Sequence, residues 1–92
     1  MDIEAFAWDE ANEAKIAERF DPAEIDEVLE STHTIIRNKR NRAGSHRVIG
    51  RSYGGTMITI VVAPTGQSGI WRPVTAWRSD REELAHAEKA GI

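Results

Sequence analysis

Gly69-Ile70-Trp71-Arg72-Pro73-Val74-Thr75-Ala76-Trp77-Arg78-Ser79-Asp80-Arg81-Glu82-Glu83 begins as an apolar, aromatic strand and turns at Ser79 into a helix. Arg72 lies within the strand, and Arg78 and Arg81 flank the junction. A helix N-terminus presents unpaired backbone N–H groups and the positive end of the dipole, so a capping sequence favours carboxylates there. Arginines in that place suit an arriving anion such as phosphate. Strict alternation puts Trp71 and Trp77 on one face with Thr75 between them, either as core under the helices or as stacking surfaces for bases. Arg72 is then on the other face with Val74 and Ala76. Its head must escape that face or meet a carboxylate from the acidic helices.

Upstream of this stretch the signals are those of an antiparallel sheet. Thr56 to Ala63 is the most β-prone segment and alternates little, which predicts a central strand covered on both faces. Pro64 to Gly69 joins it to the opening stretch as a hairpin loop, and Tyr53-Gly54-Gly55-Thr56 is a tight turn before it. His46 to Arg51 and His33 to Lys39 are two further strands. They are joined by a loop, Arg37 to Ser45, that carries Arg37, Lys39, Arg40 and Arg42 and closes at Gly44.

The N-terminal third is helical. Ile3 to Trp8 alternates as a short first strand, and Asp9 caps a helix to about Arg19. Asn12, Ile16 and Phe20 share its inner face, so a buried Asn12 must be hydrogen-bonded, fixing a turn or a neighbouring strand. Asp21-Pro22-Ala23-Glu24 starts a second helix, with Asp21 as N-cap, Pro22 at N1 and Glu24 closing a capping box. Ile25, Val28 and Leu29 form its core stripe. Ser79-Asp80-Arg81-Glu82 reads as another capping box, opening an Ala-rich last helix with little to bury and hence weak docking or dependence on a partner. The order is β-α-α-β-β-β-β-α. It predicts a single α+β domain, 1–92, with an antiparallel sheet of four to five strands, two N-terminal helices packed on it and a C-terminal helix.

Ninety-two residues support one small core. The chain has no cysteine, which excludes disulfides and thiolate metal sites, and three scattered histidines make no metal constellation. No metal or cofactor is expected. The longest apolar run, Met57 to Ala63, is far short of the roughly 20 residues of a membrane span. The acidic start, Met-Asp-Ile-Glu, does not resemble a signal peptide, so a cytoplasmic location is the expectation.

The net charge of −3 conceals a division. Residues 1–32 hold eleven acidic side chains against Lys15 and Arg19, and residues 33–81 hold nine Lys/Arg against Asp80 alone. Either the basic block meets a polyanion, or the acidic helices neutralise it inside the fold.

Trp8-Asp9-Glu10-Ala11-Asn12, Ile16-Ala17 and Asp21-Pro22-Ala23-Glu24-Ile25-Asp26-Glu27-Val28-Leu29-Glu30 resemble the N-terminal half of the BrnT family. Val48-Ile49-Gly50-Arg51, the β-run to Ala63 and Trp71-Arg72-Pro73-Val74-Thr75-Ala76 follow the second half. BrnT proteins are ribonuclease toxins of type II toxin–antitoxin pairs with a RelE-like fold. The resemblance implies RNA as substrate and an endoribonuclease that needs no metal. It also implies a BrnA-like, ribbon-helix-helix antitoxin as partner in a hetero-oligomer. Arg51, Arg72 and Arg78 match basic positions of the family. A Lys/Arg-His-Gly-Val turn of the family is replaced here by Glu18-Arg19-Phe20-Asp21, and its first-helix histidine by Lys15.

In such a reaction the 2′-OH attacks the adjacent phosphorus. One group takes its proton while cations stabilise the phosphorane charge, a role the guanidinium fork fits. The candidate catalytic set is Arg51, Arg72, Arg78, Lys15, Arg19 and His46; His46 has the most suitable ordinary pKa, and Lys15 or Arg19 is the other candidate. Arg37, Lys39, Arg40, Arg42, Arg47 and Arg81 are candidate RNA contacts. The alternative is a catalytically inactive, toxin-like RNA-binding module that keeps the phosphate cleft without the base.

Overall fold

The computed structural model describes residues 1–92. In chain order the elements are β1 (Ala5–Phe6), α1 (Glu10–Ala17), α2 (Pro22–Glu30), β2 (His33–Arg37), β3 (His46–Arg51), β4 (Met57–Pro64), β5 (Ile70–Arg78) and α3 (Arg81–Lys89). They build an α+β domain around one five-stranded sheet in the order β1-β5-β4-β3-β2. The central strand is β4, and its run Ile58-Thr59-Ile60-Val61-Val62 is buried throughout. The missing alternation of that segment is thus the mark of a strand covered on both faces.

The sheet is mixed and not wholly antiparallel. β2, β3, β4 and β5 pair antiparallel, but β1 joins the edge parallel to β5, with Ala5 opposite Ile70 and Phe6 opposite Trp71. Backbone bonds from Glu4 N–H to Gly69 O and from Ala7 N–H to Trp71 O, both 2.8 Å, extend this contact past the two paired residues. Gly69 permits the approach: its φ is +75°, and a Cβ there would lie 2.9 Å from the Glu4 carboxyl group.

β5 contains a bulge that changes its phase. Val61 pairs with Thr75 and Val62 with Pro73, so Val74 is an extra residue on β5. The expected common face for the two tryptophans is therefore wrong. Trp71 packs against the core with Ala76, whereas Trp77 stands on the opposite face and donates to Glu83. Arg72 likewise shares no face with Ala76.

α1 and α2 cover one face. Ile16, Phe20, Ile25 and Val28 meet Val48, Ile58, Ile60 and Val62 in the main core, with Ile3 and Phe6 from the N-terminal segment. Each fully buried branched side chain such as Ile25 or Val28 contributes about 1.5–3 kcal/mol. Asp9 and Asp21 cap the two helices as their sequences require, each with a reciprocal capping box. Asn12 has the bracing role expected of it. Its Oδ1 accepts from Asp9 N–H at 2.8 Å, and its Nδ2 donates to Ala7 O and Pro73 O at 3.0 Å each. One buried amide so holds β1, α1 and β5 together.

α3 lies on the other face, across β2 and β3. Its N-cap is Asp80 and the reciprocal residue is Glu83, one position later than the box expected from Ser79. As its composition predicts, α3 buries little: Glu83 and Ala87 are covered, while Leu84 is exposed. The helix is held by a polar anchor in place of an apolar stripe.

Candidate phosphate-binding surface

The acidic helices leave most of the basic block unneutralised. Only two cationic side chains are ion-paired: Arg47 with Glu83 and Glu82, and Arg72 with Asp9. The other ten of the twelve Lys/Arg are exposed and form no ion pair. Such free cations are what a polyanion partner requires.

Two of them meet at one end of the sheet. Arg19 leaves the end of α1, where Phe20 turns inward to seal the core. Arg78 is the last residue of β5, and by register it projects on the α1/α2 side, in the row of Gly50 and Ile58. Arg19, Phe20, Glu24, Thr56 and Arg78 line a hollow of about 470 Å³. Two guanidinium groups from separate elements face one space beside the Glu24 carboxylate, and each presents a planar fork that fits phosphate oxygens. Arg51 is at the same end of the sheet but in the neighbouring row, on the opposite face, where its Nη1 donates to Gly55 O at 2.9 Å.

A second hollow, of about 400 Å³, lies on the α3 side. The loop after β2 folds over Val61, bringing Lys39 and Arg42 above Arg47, Thr75 and Trp77. Gly44 allows that fold, since a Cβ there would be 2.4 Å from Val61 Cγ1 and 2.6 Å from Val62 O. Arg47 forms the floor and is already engaged, its Nη1 donating to Glu83 Oε2 at 2.9 Å. Its Nε–H is buried without an acceptor. Glu83 also accepts from Trp77 Nε1 at 3.0 Å and from Asp80 N–H at 2.8 Å, so its carboxylate joins strand, helix cap and buried arginine. Arg47 is structural at this point, and Lys39 and Arg42 are the free cations of the hollow.

The remaining candidates are dispersed. Arg72 clamps Asp9 through Nε at 2.8 Å and Nη2 at 3.2 Å, and this guanidinium holds the Asp9 carboxyl below its ordinary range, assisted by the backbone N–H of Asn12. It lies about 20 Å along the strand from Arg78, at some 3.3 Å per residue. His46 is half-buried, edge-on to Trp71 at 5.4 Å between ring centroids, and in contact with Ser45 Oγ through Nδ1 at 2.9 Å. Burial first, and the Arg37 charge second, lower its pKa from the usual 6.5. His46 is registered opposite Val62, four residues along β4 from the partner of Arg78, or about 13 Å. Lys15, Arg37, Arg40 and Arg81 are exposed and line neither hollow.

Of the six candidate catalytic residues, Arg19 and Arg78 are therefore the pair that shares a site. Glu24, Thr56 and Glu83 escaped the sequence reading as site-forming groups: a capping box already accounts for Glu24, and the first turn of a helix for Glu83. No known family model matches the chain, and no curated protein matches it.

Proposed function

We propose that this chain is a metal-independent endoribonuclease of the BrnT type, a toxin whose basic surface is covered by a small DNA-binding antitoxin. The observation that carries this reading is the set of ten unpaired cations, two of which converge on one hollow. RNA phosphates would run along the exposed arginines and lysines, and Arg19 and Arg78 would stabilise the charge that builds on the attacked phosphate. Lys39, Arg40 and Arg42 would hold flanking phosphates as position-fixing contacts. Arg51, at the same end of the sheet, would extend that track around the edge.

A second reading, RNA binding without cleavage, is favoured by one observation: His46 lies about 13 Å along the sheet from Arg78, too far to take a proton from RNA held there. One experiment separates the two. Purified protein is incubated with total RNA with and without EDTA, beside Arg78→Ala and Arg19→Ala. Cleavage that EDTA leaves intact and both substitutions abolish supports the nuclease. Intact RNA with measurable binding supports the binding module, and absence of both refutes the polyanion reading.

A further inference from the structure

We infer that Glu24 is the group that takes the 2′-hydroxyl proton, so that the hollow at the end of the sheet holds both the phosphate clamp and the base; this rests on the ribonuclease reading above. The hollow is lined by two cations, one carboxylate and one hydroxyl, with Phe20 as its apolar wall. Glu24 is the only carboxylate that lines it, and it forms no ion pair with Arg19 or Arg78. Its position is fixed from behind. Oε1 accepts the Asp21 N–H at 3.1 Å as part of the α2 capping box. That bond engages one oxygen of the carboxylate and leaves the other for a substrate. A helix N-terminus is also a rigid mount, which a proton acceptor needs if it is to keep hydrogen-bond distance to its target.

The step balances without any further reactant. Glu24 accepts the 2′-hydroxyl proton as the 2′-oxygen bonds to phosphorus. The bond between phosphorus and the 5′-oxygen breaks, giving a 2′,3′-cyclic phosphate. The departing 5′-oxygen takes a proton from water, and the resulting hydroxide receives the proton from Glu24. Arg19 and Arg78 hold the non-bridging oxygens throughout, and the Thr56 hydroxyl lies within the same hollow to orient the phosphate or the ribose.

Glu24→Gln tests the idea cleanly, because glutamine at N3 still completes a capping box and keeps the side chain's shape. The full chain is assayed on a synthetic RNA oligonucleotide for cleavage rate, for RNA affinity and for its melting temperature. Removal of an acid–base group is expected to slow cleavage about 10²–10⁴-fold, with affinity and melting temperature unchanged and cyclic phosphate ends on wild-type products. Cleavage by Glu24→Gln within about threefold of wild type overturns the role of Glu24 and leaves the nuclease reading standing. Equal loss of binding and cleavage at an unchanged melting temperature also overturns it, since Glu24 then only shapes the site. Wild-type protein that binds RNA but does not cut it removes both readings together.

Discussion

Arg47→Ala probes the buried anchor of α3, and its cost follows from the geometry. The substitution removes the 2.9 Å bond to Glu83 Oε2 while Glu83 stays fully buried and loses its only close cation. Breaking a buried ion pair on one side costs about 3–5 kcal/mol. Glu83 keeps the Trp77 and Asp80 donors, which offset part of the loss and place the expectation near the lower end, about 3 kcal/mol. For a domain of this size that lowers the melting temperature by about 12–24 °C. Circular dichroism on heating and urea titration measure it. The pair is isolated by a cycle of Arg47→Met, Glu83→Gln and the double variant, since glutamine retains the cap and the Trp77 bond. A coupling of about 1–3 kcal/mol is expected between touching residues. An Arg47→Ala loss below 0.5 kcal/mol, or strict additivity in the cycle, refutes the view that this pair docks the last helix.

Three further outcomes are expected. Asn12→Ala strands the Ala7 and Pro73 carbonyls and should cost about 2–3 kcal/mol in urea titration. Gly44→Ala forces a methyl group against Val61 and the Val62 carbonyl, so it should destabilise by about 1–3 kcal/mol, as read by melting, and under the proposed function it should also weaken RNA binding through Lys39 and Arg42, as read by filter binding. Arg72 lowers the folded pKa of Asp9 below 3.8, so the stability it brings is present above that value and fades as pH falls through the lower folded value. The difference in urea midpoint between wild type and Arg72→Ala should thus be constant from pH 7 to about pH 4 and shrink below it; a difference that grows on acidification contradicts the assignment.

The strands and helices were legible because their signals are local. Asp9 and Asp21 announce their helices by cap chemistry alone, and the unbroken apolar run of β4 announces a central strand. The parallel pairing of β1 was not legible, because two paired residues carry no directional pattern and the partner is more than sixty positions away. The bulge at Val74 escaped for a related reason: nothing in Pro73-Val74-Thr75 says that one residue lies outside the ladder. That one residue also undid the expected placement of the tryptophans. At the site, the arginine types were readable but not their neighbours. Arg72 and Arg78 look equivalent along the chain, and only the tertiary structure gives Asp9 to one and an open hollow to the other. Glu83 was hidden because its sequence context, the first turn of a helix, already explains a glutamate.

The bulge has a consequence for which side chains each side of the sheet receives. Without it, strict alternation from Trp71 would set Thr75 and Trp77 on the α1/α2 side and turn Ala76 and Arg78 toward the α3 side. With Val74 inserted, Trp71, Pro73 and Ala76 answer to α1 and α2, while Thr75 and Trp77 answer to α3 and the loop that carries Lys39 and Arg42. One strand thus belongs to two independent packing problems. The inserted residue is what brings Arg78 round to the side where Arg19 and the hollow lie.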